Sequence, residues 1–307
     1  MTRWTYRRGL TVDSAEILKK VRQIEIQTNK LVSETFAGEY LSTFKGQGIE
    51  FAEVREYTPG DDVRAIDWNV TAREGSPYIK KYNEERELTL MIACDVSASG
   101  QFGSTDKLKQ EVAAELAALF AFSALQNSDK VGLLLFSDKV ELYVPPKKGK
   151  KHILRLIREL IAFTPQDKKT DIGLCLETLL KVLKHSGILI LISDFLAPFE
   201  QFEKPFKLAA KKFDLIPVIL QDKLEVSLPK LPVCLDITDP ETGEEDVISL
   251  SSGELNERLE KLQAQRQENF KKLFNPYKIE PILIDTALPA ADPVIAFFKS
   301  RAKKVRK

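Results

Sequence analysis

Residues 88–101 read LTLMIACDVSASGQ, an apolar run that ends in Asp95, Ser97 and Ser99. An aspartate followed by two serines on alternate positions offers three oxygen donors on side chains short enough to meet at one point. Two more oxygen-bearing residues stand in comparable settings. Thr170, with Asp171, opens the helical stretch TDIGLCLETLLKVLKHS, and Asp194 closes the apolar run GILILIS. Together these five make two carboxylates and three hydroxyls, with neither sulfur nor imidazole. Such hard donors suit Mg2+, with Mn2+ or Ca2+ as alternatives, and do not suit zinc or copper. Asp171 is the nearest rival and is read as the cap of the helix that follows. The expected metal set is therefore Asp95, Ser97, Ser99, Thr170 and Asp194.

For these residues to meet, the elements around them must bring strand ends to one edge. From about residue 88 the chain alternates short apolar runs with helical stretches. Strands are expected at 88–95, 130–137, 140–146, 187–195, 214–221 and 279–286, with an antiparallel edge pair around Asp138–Lys139. Helices are expected at 106–128, 150–163, 170–186, 199–213, 253–274 and 292–305, and a hairpin at 233–238 and 246–250 around DPETGEED. This alternation predicts an α/β fold, a doubly wound and mostly parallel sheet with helices on both faces. Ligands bind such sheets beyond the carboxyl ends of the strands. With 88–95 central and 187–193 beside it, Asp95 and Asp194 face one crevice. The first 87 residues read differently, as an amphipathic helix over 14–34 and a charged, strand-like stretch over 48–73. The expected division is a small N-terminal α+β appendage, 1–87, joined rigidly to an α/β domain, 88–307.

Composition narrows the function classes. The chain has 307 residues, 43% of them hydrophobic and 30% charged, with a net charge of +1. No whole-molecule field favours nucleic acid or an acidic membrane. There is no apolar run of about 18 residues to span a bilayer, and the basic N-terminus lacks the apolar segment of a secretory signal. Cys94, Cys175 and Cys234 lie in apolar contexts and read as small buried hydrophobes of a reducing cytoplasm. His152 and His185 are too few for a histidine-rich zinc site. Gly46-x-Gly48 is read as a turn, and without a Walker A sequence any ATP belongs to a partner. The basic stretches KKGKK and KSRAKKVRK are read as solvated, with anionic lipid or nucleic-acid contact as the second reading of the tail.

The spacing Asp95-x-Ser97-x-Ser99, with Thr170 before DIGLCL and Asp194 after LILIS, resembles the metal-ion-dependent adhesion site of von Willebrand factor type A domains. The likeness covers roughly residues 86–222. It implies that Ser97 and Ser99 bind the ion directly and that Asp95, Thr170 and Asp194 bind it directly or through water. It also implies that an acidic residue of a partner supplies the remaining ligand. Phe195 departs from many such sites, where glycine follows the aspartate, and its bulk narrows the approach.

The stretch FAGEYLSTFKGQGIEFAEVREYTPGDDVRAIDWNVTAR, residues 36–73, extends the likeness over nearly the whole chain. Its run Arg55-x-Tyr57-x-x-Gly60-Asp61-Asp62-x-Arg64-x-Ile66-Asp67-Trp68 is similar to the signature of a bacterial von Willebrand A-like family catalogued as domain of unknown function fifty-eight. Members are commonly encoded beside MoxR-type AAA+ ATPases, so the resemblance implies such a partner. From their types alone, Arg55, Tyr57, Asp61, Asp62, Arg64, Asp67, Trp68 and Arg73 form either an internal ion-pair network anchored on Trp68 or an interaction surface. The expected function is a metal-dependent protein docking module without enzymatic activity. The rival is a Mg2+-dependent hydrolase or phosphatase. That rival lacks a second aspartate at position 97 and a base or nucleophile beside the motif.

Overall fold

A computed structural model describes residues 14–32, 40, 43, 49–84, 88–104, 107–164, 169–229, 231, 233–238, 245–250 and 254–305. The expected Gly46-x-Gly48 turn and the hairpin tip 239–244 lie outside these residues. Helix α1 (Ser14–Leu31) comes first, followed by β1 (Ile49–Glu56), α2 (Trp68–Glu74) and β2 (Tyr78–Glu84). The α/β stretch then runs β3 (Thr89–Asp95), α3 (Lys109–Gln126), β4 (Lys130–Phe136), β5 (Val140–Lys147), α4 (Lys150–Ala162) and α5 (Ile172–Val182). It continues with β6 (Ile188–Ser193), α6 (Phe199–Lys212), β7 (Asp214–Gln221), β8 (Cys234–Thr238) and β9 (Glu245–Ser249). Helix α7 (Glu254–Phe274), β10 (Ile282–Asp285) and α8 (Ala291–Val305) follow.

Six strands form one sheet in the order β10-β7-β6-β3-β4-β5, parallel except where β5 turns back along β4. From β3 the chain passes to β4 and β5 on one side and resumes at β6 on the other. The change of direction falls between β3 and β6, where such sheets open a crevice at the carboxyl ends. Register sets the two ends level: Cys94 is opposite Leu135 on one side and Ile192 on the other. Gly187 seats β6 against β3, since a Cβ there would stand 2.5 Å from the Thr89 carbonyl oxygen.

Alternation along β3 divides two cores. Leu90, Ile92 and Cys94 pack with α1, α3, α4 and α8, while Met91 and Ala93 pack with α5, α6 and α7. Each buried Leu, Ile or Phe contributes about 1.5–3 kcal/mol by leaving water. Helix α3 is apolar nearly all round because it has the sheet beneath it and other helices above; Leu116, Ala118, Phe120 and Ala124 are all fully enclosed.

The described part of the N-terminal stretch falls into two pieces. Helix α1 joins the larger core through Val21, with Lys20 paired to Glu111 of α3 at 2.7 Å. Strands β1 and β2 form a separate antiparallel pair. Cys234 departs from its expected burial: it is exposed, because β8 pairs only with β9 in a two-stranded sheet. Two cations of the basic tail are already partnered, Arg301 by Asp214 and Lys304 by Glu280. Among the described residues no helix is long and apolar enough to cross a membrane.

Candidate functional site

Asp95 is the last residue of β3, half-buried at the sheet edge. Its Oδ1 accepts the backbone N–H of Ser97 at 3.0 Å, closing a tight turn that feeds the 3-10 segment Ala98–Gln101. That turn brings the Ser97 and Ser99 hydroxyls within 3.0 Å of each other. The other carboxylate oxygen of Asp95 accepts the Ser193 hydroxyl at 2.8 Å, and Ser193 Oγ in turn accepts the Phe195 N–H at 3.0 Å. Ser193 therefore ties the end of β3 to the end of β6. It was not among the expected site residues, although it directly precedes Asp194.

Asp194 is buried, with 5% of its surface exposed. Its Oδ1 accepts the Leu196 N–H at 3.2 Å, and its Oδ2 receives the ammonium of Lys109 at 2.9 Å. Lys109, in the first turn of α3, is only 1% exposed. The same ammonium pairs with Glu225, and it lies 5.9 Å from the centre of the Phe102 ring. Glu225 belongs to the helical turn Lys223–Val226, and its other oxygen accepts the Asp222 N–H at 3.0 Å. From the far side, Arg266 of α7 donates to the Asp194 carbonyl while its guanidinium sits 5.3 Å from the Phe270 ring centre. Lys109, Glu225 and Arg266 were not expected in the site. A signal for Lys109 was present, since it falls on the apolar stripe it shares with Val112, Ala113 and Leu116.

Asp171 performs the expected cap, accepting the Leu174 N–H at 2.8 Å. Its own N–H donates to the Ser137 carbonyl at 2.8 Å, which fixes the start of α5 beside the end of β4. Thr170 consequently stands at the same rim, half-buried. Among the described residues no side-chain hydrogen bond joins it to the other four. The structure thus links Asp95, Ser97 and Ser99 directly, sets Asp194 beside them but paired to Lys109, and leaves Thr170 at the edge.

Charge at the rim is uneven. Loss of water around Asp95, and then the negative charge of Asp194, push its carboxyl up from 3.8 to about 7. Burial alone would lower Lys109, but Asp194 and Glu225 reverse that and hold its ammonium above the ordinary value. For Asp95 the folded chain binds a proton more readily than the unfolded chain. Its contribution to stability is therefore present below 3.8 and is lost as pH rises through about 7. In EDTA, the urea midpoint of Asp95→Asn relative to the parent should rise between pH 5 and 8, where only the parent acquires the buried charge. A constant difference across that range would mean that Asp95 titrates as an ordinary carboxylate.

The donor chemistry fits a hard ion. Among the described residues no three His, Cys, Asp or Glu side chains gather as a ligand set, so the residues that would hold an ion at this rim are Ser97 and Ser99 with Asp95.

The charged block of β1, α2 and β2 is only partly a network. Arg55 grips both oxygens of Asp61, at 2.7 and 2.9 Å, and Asp67 pairs with Lys80 at 3.2 Å. Asp62 and Asp67 cap the short helices that follow them, and the Tyr57 N–H donates to Pro77. Arg64 and Arg73 are exposed. Trp68 is not the expected apolar anchor, because it is 68% exposed. It opens a helix with no buried residue, and the buried member of that turn is Asp67.

A family model described as "Protein of unknown function DUF58" matches residues 53–269. The uncharacterized protein Rv1480 of Mycobacterium tuberculosis is 27% identical over 234 residues, 76% of this chain and 73% of that protein. The uncharacterized protein YeaD of Bacillus subtilis is 28% identical over 109 residues, 36% of this chain and 25% of that protein. Among solved structures, the conserved hypothetical protein BatB from Bacteroides thetaiotaomicron aligns with a TM-score of 0.43 and 16% identity, over 71% of this chain and 99% of its own. A von Willebrand factor type A protein from Catenulispora acidiphila aligns with a TM-score of 0.42 and 10% identity, over 74% of this chain and 44% of its own.

Proposed function

The chain belongs to the DUF58 family, and on that premise we propose that it is a protein docking module and not an enzyme. Its rim of oxygen donors holds a divalent ion and receives an acidic side chain of a client protein. It works with a MoxR-type AAA+ ATPase in the maturation or assembly of that client. The observation that carries this reading is the joined set Asp95, Ser97 and Ser99 at the carboxyl end of β3, with Asp194 beside it at the end of the neighbouring β6. We read the sheet as the doubly wound von Willebrand A type, Mg2+ as the ion, and Asp95, Ser97, Ser99 and Thr170 as donors with Asp194 behind them. When bound, such an ion supplies positive charge that one carboxylate and neutral hydroxyls do not cancel, and an outside carboxylate is drawn to it.

The chain's own residues do the positioning. Asp95 holds the turn that aims both serines the same way, and Ser193 locks that turn to the neighbouring strand. Phe195, next in the chain to Asp194, packs into the core, its ring edge-on to Phe202 and Phe270, so its bulk goes inward. The hydrolase reading has less support. Cys94 and Cys175 lie nearest, yet burial holds both thiols well above the ordinary range, so neither offers a thiolate. His152 contacts the Val131 carbonyl at 2.9 Å, at the opposite edge of the sheet.

The test is capture of a purified MoxR-type ATPase encoded in the same genome. Binding is expected in Mg2+, lost in EDTA, and restored by Mg2+ or Mn2+. Equal capture in chelator rejects metal-dependent docking.

A further inference from the structure

Asp194 already faces a cation, and that cation belongs to the chain. An ammonium is strongly hydrated, and taking it out of water is unfavourable unless carboxylates surround it. Lys109 is 1% exposed, yet it meets Asp194 and Glu225, residues 85 and 116 positions away in sequence. Both oxygens of Asp194 are engaged, Oδ1 by the Leu196 N–H and Oδ2 by the ammonium. A divalent ion that took Asp194 directly would share one carboxylate with a second positive charge at close range, where repulsion is large.

We propose that the Lys109 ammonium competes with a divalent ion for Asp194 and so keeps the ion's affinity at this rim low. The inference rests on the metal-dependent reading above and adds the residue that tunes it. Left with Asp95 and neutral hydroxyls, a bound ion retains charge for a partner's carboxylate. Glu225 gives the ammonium a second seat, so Lys109 stays paired as Asp194 is released. Lys109 is an affinity-setting residue and not a ligand.

Mn2+ binding to the full chain, followed by the electron paramagnetic resonance signal of the free ion, tests this. Lys109→Met is expected to tighten Mn2+ binding about tenfold or more. Lys109→Gln combined with Glu225→Gln removes one charge of each sign, so the same tightening there cannot come from net charge. This double variant leaves one carboxylate, Asp194, without its countercharge instead of two, keeps an amide at position 109 to donate to it, and decides the matter if Lys109→Met does not fold. Adding Asp194→Asn to it should erase the gain. Lys107→Met, which breaks the more exposed pair with Glu115, should leave affinity unchanged.

Equal or weaker affinity in the folded Lys109 variants overturns the proposal. If the parent binds Mn2+ and the variants bind it equally, metal-dependent docking survives and competition by Lys109 does not. If the parent binds none and the double variant does, competition stands and docking through metal falls for the parent chain. If neither binds, both fall.

Discussion

Lys109→Met lowers the stability of the metal-free fold by about 3–5 kcal/mol, measured by urea unfolding in EDTA. The reason is what remains behind. The Asp194 side chain is 4% exposed and that of Glu225 19%, and without the ammonium each becomes a carboxylate with its countercharge removed. Breaking a buried pair from one side is far worse than never having had it, since the surviving charge keeps its full desolvation cost. The Lys109→Gln, Glu225→Gln variant should recover only the smaller share, and adding Asp194→Asn, which leaves no stranded charge, should recover most of the loss. The exposed pair Lys107–Glu115 sets the scale for comparison, because such surface pairs contribute only about 0–1 kcal/mol. A loss under about 1 kcal/mol for Lys109→Met would mean that the ammonium is hydrated in solution.

Asp95→Ala has the largest expected effect on binding. It removes the one carboxylate bonded into the serine turn, and with it the N–H acceptor that holds Ser97 and Ser99 in register. Mn2+ affinity should fall by about a hundredfold or more, and capture of the ATPase should fall to the level seen in EDTA. Stability should not fall in parallel at pH 8, because the substitution also deletes a charge that burial disfavours. Ser97→Ala should weaken binding less, since Ser99 and Asp95 remain. Undiminished, Mg2+-dependent capture by folded Asp95→Ala would move the docking site elsewhere on the molecule.

The sheet was legible in the sequence because its strands are short, continuous apolar runs separated by helices of a dozen residues or more. β3, β4, β6 and β7 fall where those runs lie, and β5 turns back antiparallel at Asp138–Lys139 as expected. Asp95, Ser97 and Ser99 were legible because one turn brings them together, a local relation that spacing alone expresses. Lys109 was not. Its role depends on Asp194 and Glu225, and nothing within a helix turn of Lys109 announces them, apart from its place on an apolar stripe. Trp68 failed for the opposite reason. Its apolar bulk suggested an anchor, but the short helix it begins is too poorly covered to enclose a ring that size.

The clasp around Asp194 draws on α3, the turn after β7, and α7, so it spans residues 109 to 266. A nascent chain leaving the ribosome carries all five predicted oxygen donors and Lys109 once residue 194 has emerged, but Glu225 and Arg266 are still to come. Closing so long a loop comes late, after the local pairings have condensed. Lys109 waits for residue 225 to gain its second carboxylate, and the Asp194 carbonyl waits for α7 to gain its arginine. The growing polypeptide therefore passes through a stage in which Lys109 and Asp194 are both present without the groups that close around them, and only the finished molecule holds the pair from every side.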